Sequence, residues 1–511
     1  MMDRRQFLST ASLTAGLASL GACSRTPPPE GLLRVAMDNM PDHLDPARGQ
    51  FAASALVYKQ IHAPLTDYSA DGGVGPGLAQ RWFVSEDGLT WRFELRDDLR
   101  WSDGVAITAE DIVWSARRLV DPTQSFAALG DFFTVQHAAA VLAGERSSED
   151  LGVRAIDSRT VDFQLSAPLG LFPVLMREFY PFPRHIIEQV GEDWARPEYI
   201  VTSGPYRLAQ QSQYGLRLIR NSAYHAADQV SIPAIQADAV IDANARVRLF
   251  RAGEYDLVAA PPSNLIPQLQ NQLGDGFASF DAPILRYLKL NHAREDVAQL
   301  ALRRALSLSI DRAFLAETVF SGTAAPTQGV LAGDRAAAPD LDQARDLLET
   351  VTFDRPLEIR ATTGDSERLA VALAADWERI GVATDILVSY PTDLYQAVDA
   401  GAFDIAVSSF NRGLKSDPFF MLDPFEPGGF AANFGWNDPM FAELMRTARR
   451  QSDPASRAEI YGLADSRLLE EQAIIPLVHE RAHWLIANRL AGTRPDVQPQ
   501  LWRDLSLNEM G

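Results

Sequence analysis

His479-Glu480-Arg481-Ala482-His483 has a spacing that matches metal chemistry. In zinc peptidases that spacing works on a helix. Two imidazoles one turn apart hold the ion, the glutamate is the general base, and a third ligand lies downstream, where Asp504 and Glu509 stand here. The flanks predict another conformation. Ile474-Ile475-Pro476-Leu477-Val478 and Trp484-Leu485-Ile486 are apolar runs, the first broken by proline, and read as a strand. A strand holds the two imidazoles on one face about 13 Å apart, too far to share an ion. The metallopeptidase stays a remote alternative: no catalytic residue, metal or cofactor is expected, and His479 reads as a cleft-edge or surface residue. There is no G-x-S-x-G, phosphate loop or Cys/His cluster. Asp87, Asp97, Asp98 and Asp103 fall in turns and strand ends, where solvated charges belong.

Cys23, the only cysteine, offers a different chemistry. It follows Leu20-Gly21-Ala22 and a charged start, Arg4-Arg5-Gln6-Phe7-Leu8. Phe7 to Ala22, roughly 15 mildly apolar residues, is too short to span a bilayer and reads as an export signal. The small residues before Cys23 resemble a bacterial lipoprotein signal. Cleavage there would free the thiol for a diacylglycerol and the new amino group for acylation. The twin arginines resemble the signal of the twin-arginine route. Residues 24–31 form a stiff, proline-rich spacer. The expected protein is tethered to the periplasmic face of the cell membrane. The alternative is a buried structural cysteine.

The chain of 511 residues carries a net charge of −20; removing residues 1–22, with Arg4, Arg5 and Asp3, leaves −21. Such a body repels phosphate backbones, which excludes nucleic acid as a partner. With 46% hydrophobic residues and this length, two or three globular domains are expected.

Several elements are legible. Leu32 to Met37 is an apolar strand running into the turn-rich Asp38-Asn39-Met40-Pro41-Asp42. Trp91, Phe93 and Leu95 alternate with polar neighbours, as in a half-buried strand. Thr108, three residues before Asp111, caps a helix. The β-branched Ile200-Val201-Thr202 and the run Leu216 to Ile219 read as strands, and helical patterns dominate 296–318 and 340–350. Residues Phe250 to Val258 echo Val398 to Ala406: a helix ending near a glycine, an aromatic-Asp pair, then an apolar strand. Two such units suggest two lobes, each on a mixed sheet; chance recurrence of a common helix-end junction is the alternative.

Leu78-Ala79-Gln80-Arg81-Trp82, Asp87 to Arg96, Trp101-Ser102-Asp103-Gly104 and Thr108-Ala109-Glu110-Asp111 resemble the signature block of the family 5 extracellular solute-binding proteins, receptors of peptide-type ABC importers. The likeness continues through Gly152 to Asp157, Ile200 to Tyr206, Arg304 to Arg312 and Ile474 to Leu477. It implies an α/β fold of two lobes, mixed sheets flanked by helices, with a hinge, closing over a ligand. One lobe would be residues 32–250, with an inserted subdomain at about 76–165, completed by 475–511. The other would be 255–472. The implied partners are an oligopeptide or peptide-like solute and the permease of an ABC importer, with the protein a monomer. Trp82, Trp91 and Trp101 read as subdomain core, and Asp103-Gly104 as a turn.

The resemblance also marks a departure. Peptide receptors of this family carry an Asp for the ligand's ammonium a few residues before an acidic-Pro pair. Here that pair is Asp417-Pro418, and the Asp position falls on Leu414 or Gly413. Basic positions for a peptide carboxylate fall on Ser307 and Val398. Arg412 and Lys415 favour an anion, so an acidic or sugar-linked solute is the alternative ligand. The aromatic, glycine-rich run after Asp417 makes an irregular loop of the kind that lines pockets. The candidate ligand residues are Met40, Asp42, Asn411, Arg412, Asp417, Phe430, Asn433, Trp436 and His479. For each aromatic the competing role is packing.

Overall fold

The computed structural model describes residues 31–49, 52–69, 73–124, 134–331, 333, 336–412, 417–426, 429, 435–451, 453–493 and 498–508. Cys23, Gly413, Leu414, Phe430 and Asn433 lie outside the described residues. β1 (Leu32–Met37) is buried at every position but Arg34, as a strand covered on both faces should be. After a helix, Ala52–Ile61, β2 (Thr66–Tyr68) and β3 (Val74–Pro76) make a small hairpin. β4 (Ala79–Val84), β5 (Thr90–Leu95), β6 (Val153–Ala155) and β7 (Thr160–Gln164) form a separate sheet in the order β4-β5-β7-β6. Trp91, Phe93 and Leu95 of β5 face its core and Arg92 faces water. The helix Ala109–Leu119 opens with the Asp111 carboxylate accepting from the Thr108 N–H at 2.8 Å and its Oγ1 at 3.1 Å.

One expected strand is absent. Ile200-Val201-Thr202 is irregular, because Thr202 exchanges bonds with Ser102: its N–H reaches Ser102 Oγ at 3.0 Å and its carbonyl accepts from the Ser102 N–H at 2.8 Å. Tertiary bonds here override β propensity.

Among the described residues the main sheet has eleven strands. Beside β1 lie β8 (Tyr206–Gln211), β9 (Gly215–Arg220), β10 (Ala234–Ala239) and β11 (Leu257–Ala259), in the order β11-β1-β10-β9-β8. The long β12 (Phe277–Leu290) then crosses to the second lobe. There β13 (Ala324–Pro326), β14 (Leu357–Thr362), β15 (Thr384–Ser389), β16 (Ile405–Asn411) and β17 (Ile474–Ile486) continue it in the order β15-β14-β16-β12-β17, with β13 against β17. β12 and β17 join the halves, and their register slips between Asp281 and Ile284, where Ala282 and Pro283 bulge out. A bulge bends its strand and ends regular pairing. Val35 pairs with Leu257 and Ala36 with Val258, and Leu269 shares a core with Ala36 and Val258. Residues 257–273 thus pair and pack with the first lobe, whereas the resemblance implies a second lobe beginning at about 255.

The sequence echo has a physical counterpart. Asp256 precedes β11 and accepts from the N–H of Arg34 at 2.9 Å, one strand away. Asp404 precedes β16 and accepts from the N–H of Glu358 at 3.0 Å, on the strand parallel to it. Each unit turns out of its helix on a glycine with positive φ: Gly253 at 73° and Gly401 at 63°.

Candidate functional site

The crossing strands floor a cleft of roughly 460 Å³ between the lobes. Met37, Asp38 and Ala260 line it from the first lobe, Phe320, Asp365 and Asn411 from the second, and residues 480–484 of β17 run along its base. Ala260 holds φ at 48°, rare for a residue with a side chain. It is fixed there by its N–H on the His483 carbonyl at 3.0 Å and by Arg246 on its own carbonyl at 3.2 Å. Backbone held in such a conformation clusters at ligand sites.

One edge of β17 is shared by two short strands. β11 pairs with residues 484–486 and β13 with 478–480. Leu477 and His483 direct their carbonyls to that edge, accepting from Thr327 and Ala260 at 3.0 Å each. By the two-residue alternation of a strand, the Arg481 N–H and C=O face the same way, into the gap between β11 and β13. That gap opens on the cleft.

Most charged side chains of the cleft are already answered. Glu480 pairs with Arg286; Arg481 pairs with Asp281 at 2.6 Å and Asp365 with Arg368 at 2.6 Å. Burial, aided by Arg481, pushes the His483 imidazole down to about 4, so it is neutral at pH 7, and its ring stacks on Phe277 at 5.6 Å. Asp38 is exposed and makes no ion pair among the described residues.

The structure disperses the sequence candidates. Asn411 lines the cleft. Met40 leans on the first lobe's core, and Asp42 bonds Ser54 beside a separate depression near Glu192 and Arg196. Arg412 pairs with Asp423 at 3.2 Å, so it offers no uncompensated charge to an anion. Asp417 accepts from the Phe419 N–H at 3.0 Å and faces Arg457 at 3.5 Å, anchoring its loop. Trp436 is buried edge-on against Phe441 at 5.2 Å, the packing alternative weighed for each aromatic. Of the supposed carboxylate positions, Ser307 bonds the buried Arg312 and Val398 is buried. Burial lowers the pKa of His479, and the backbone groups of Ile284 and of residues 329–331 beside it act the other way without offsetting that burial. The H-E-x-x-H residues sit on strand β17, His479 and His483 four positions apart, as the flanks predict. Sequence reasoning missed Asp38, Ala260 and Arg481. Only the proline pair after Ala260 hinted at an irregular segment there.

Residues 73–432 match the model for bacterial extracellular solute-binding proteins, family 5 middle. This chain belongs to that family. Its members are substrate-binding proteins rather than enzymes. Similar relatives are the periplasmic oligopeptide-binding protein OppA of Escherichia coli, 26% identical over 466 residues (85% of this chain, 84% of the relative), and the probable deoxycholate-binding periplasmic protein YgiS of Escherichia coli, 26% identical over 487 residues (88% of each). Among solved structures, the fold resembles the murein tripeptide binding protein MppA of Escherichia coli, with TM-score 0.79 at 24% identity over 94% of this chain and 99% of that one. Haemophilus influenzae OppA in complex with RPPGFSPFR gives 0.77 at 22% identity, over 94% and 99%.

Proposed function

We propose that this protein binds an oligopeptide or peptide-like solute in extended form between its lobes and delivers it unaltered to an ABC importer. The carrying observation is the gap along the edge of β17 at Arg481, between β11 and β13, where an extended backbone could take the place of a missing strand. Arg412 and Arg481 are paired with Asp423 and Asp281, so neither offers a free charge to an anionic ligand. Calorimetric titration of a tetrapeptide against its backbone N-methylated form tests this. N-methylation should cost at least tenfold in affinity; equal affinities would sink the strand-addition reading. A second reading is a non-peptide amphipathic solute. The apolar Leu56, Ile266, Phe320 and Trp484 in the lining support it, as does the likeness to a probable deoxycholate-binding protein.

The lobes would exchange at the Ala282-Pro283 bulge and at Glu480, with closure driven by the ligand's greater affinity for the shut form. Cys23 would carry the lipid, after twin-arginine export, on the periplasmic face of the membrane. The Cys23→Ser variant should then move from the membrane to the soluble fraction; retention of that variant on membranes would exclude this anchor.

A further inference from the structure

The helix Ala243–Arg251 connects β10 to β11, the strands that flank β1 on either side and run parallel to it. Arg246, in the first turn of that helix, is 4% exposed and makes no ion pair among the described residues. Burial lowers its pKa, and the charges of Asp38 and Asp242 do not offset that burial. A buried guanidinium without a paired carboxylate costs stability. Its donors go instead to three carbonyls at strand exits: Val240 at 2.8 Å and Ile241 at 3.1 Å, just beyond β10, and Ala260 at 3.2 Å, just beyond β11. The Val240 N–H in turn reaches the Met37 carbonyl, at the end of β1, at 2.9 Å. The planar fork thus spans the exit of β1, where Met37, Asp38 and Ala260 line the cleft from the first lobe. Ligands of parallel sheets bind at such carboxyl ends. Ala260 needs a hold of this kind. Its φ of 48° is costly for a residue with a side chain, and the proline after it, Pro261, restricts its backbone further.

We propose, on the reading of the cleft as the ligand site, that Arg246 is a positioning residue for binding. It does not line the cleft, but it holds the Ala260 turn in the conformation that completes the cleft wall and lets the Ala260 N–H reach the His483 carbonyl. Without the fork the turn occupies that conformation only part of the time. Apparent affinity then falls by the same fraction. Lysine carries its donors on one nitrogen and cannot bridge both strand exits as the guanidinium does.

Calorimetric titration of a tetrapeptide into a double-mutant cycle tests this. Arg246→Met should weaken binding about tenfold when residue 260 is alanine. In the Ala260→Gly background it should cost less than about threefold, because glycine adopts a positive φ unaided. Hydrogen exchange read by mass spectrometry needs no ligand. In Arg246→Met the fragment covering 257–265 should exchange faster, while one covering 32–37 keeps the parent's rate. Parent-like affinity or parent-like exchange in Arg246→Met overturns the proposal. So does an equal loss of affinity in both backgrounds, since Arg246 would then act through packing alone. A parent that binds no peptide overturns the peptide reading instead, and the exchange comparison by itself then decides the role of Arg246. If circular dichroism shows that Arg246→Met does not fold, Arg246→Lys takes its place under the same criteria.

Discussion

At Asp256 a single carboxylate, 1% exposed, receives Arg34 at 2.8 Å and Arg489 at 2.7 Å, and both arginines are only 16% exposed. Burial alone would raise its pKa; the two guanidiniums outweigh burial and hold it below the ordinary value. Asp404 has the same role in the second lobe, but its partners Arg355 and Arg294 are 42% and 48% exposed. Water screens exposed partners, whereas removing a buried one leaves an uncompensated charge. Asp256→Asn should therefore cost about 3 kcal/mol in urea unfolding, and Asp404→Asn clearly less. Equal losses would show that solvent exposure of the arginines does not set the difference. The pairing of these two aspartates was legible as an echo of residue types, because each sits at the same junction of helix end and strand. Trp436 was not legible in that way. An aromatic in a glycine-rich loop has one composition whether it packs or touches ligand, and its contact with Phe441 was not readable from that composition.

Elements set by neighbours in sequence were read well. The alternation of β5 and the Thr108–Asp111 cap depend on residues two or three apart, and both stand as expected. Elements set by distant partners were not. Ile200 to Thr202 has strand-forming residues but no strand to pair with, since its backbone is taken by Ser102. The boundary near 255 was implied by the resemblance, while the pairing of β11 with β1, more than two hundred residues earlier in the chain, ties the next segment to the first lobe. The open edge of β17 is the extreme case. It exists because β11 and β13, from different lobes, each stop short along one side of a third strand. No local pattern in Arg481-Ala482-His483 announces it, so the cleft floor was the least legible part of the site even though the family was plain.

Across the whole molecule, neutral histidines are built into both lobes and the crossing strands. Burial pushes His62, His225, His292 and His483 each down to about 4. His62 is the most enclosed, ringed by Tyr58, Tyr180 and Trp194 at 6.1 to 6.3 Å, and the nearby Asp45 does not offset its desolvation. A folded pKa below the unfolded value means that the unfolded chain binds more protons between about pH 6.5 and 4. Stability should therefore be complete above that window and fall as pH drops through it. Below pH 4, His62 alone should account for about 3 kcal/mol of the loss. Urea unfolding at intervals from pH 7 to 4 reads the slope directly. In His62→Gln the slope should flatten by up to one proton, about 1.4 kcal/mol per pH unit, whatever the substitution does to stability at pH 7. An unchanged slope in that variant would mean that His62 takes up its proton without unfolding, and that the aromatic cage around it admits charge.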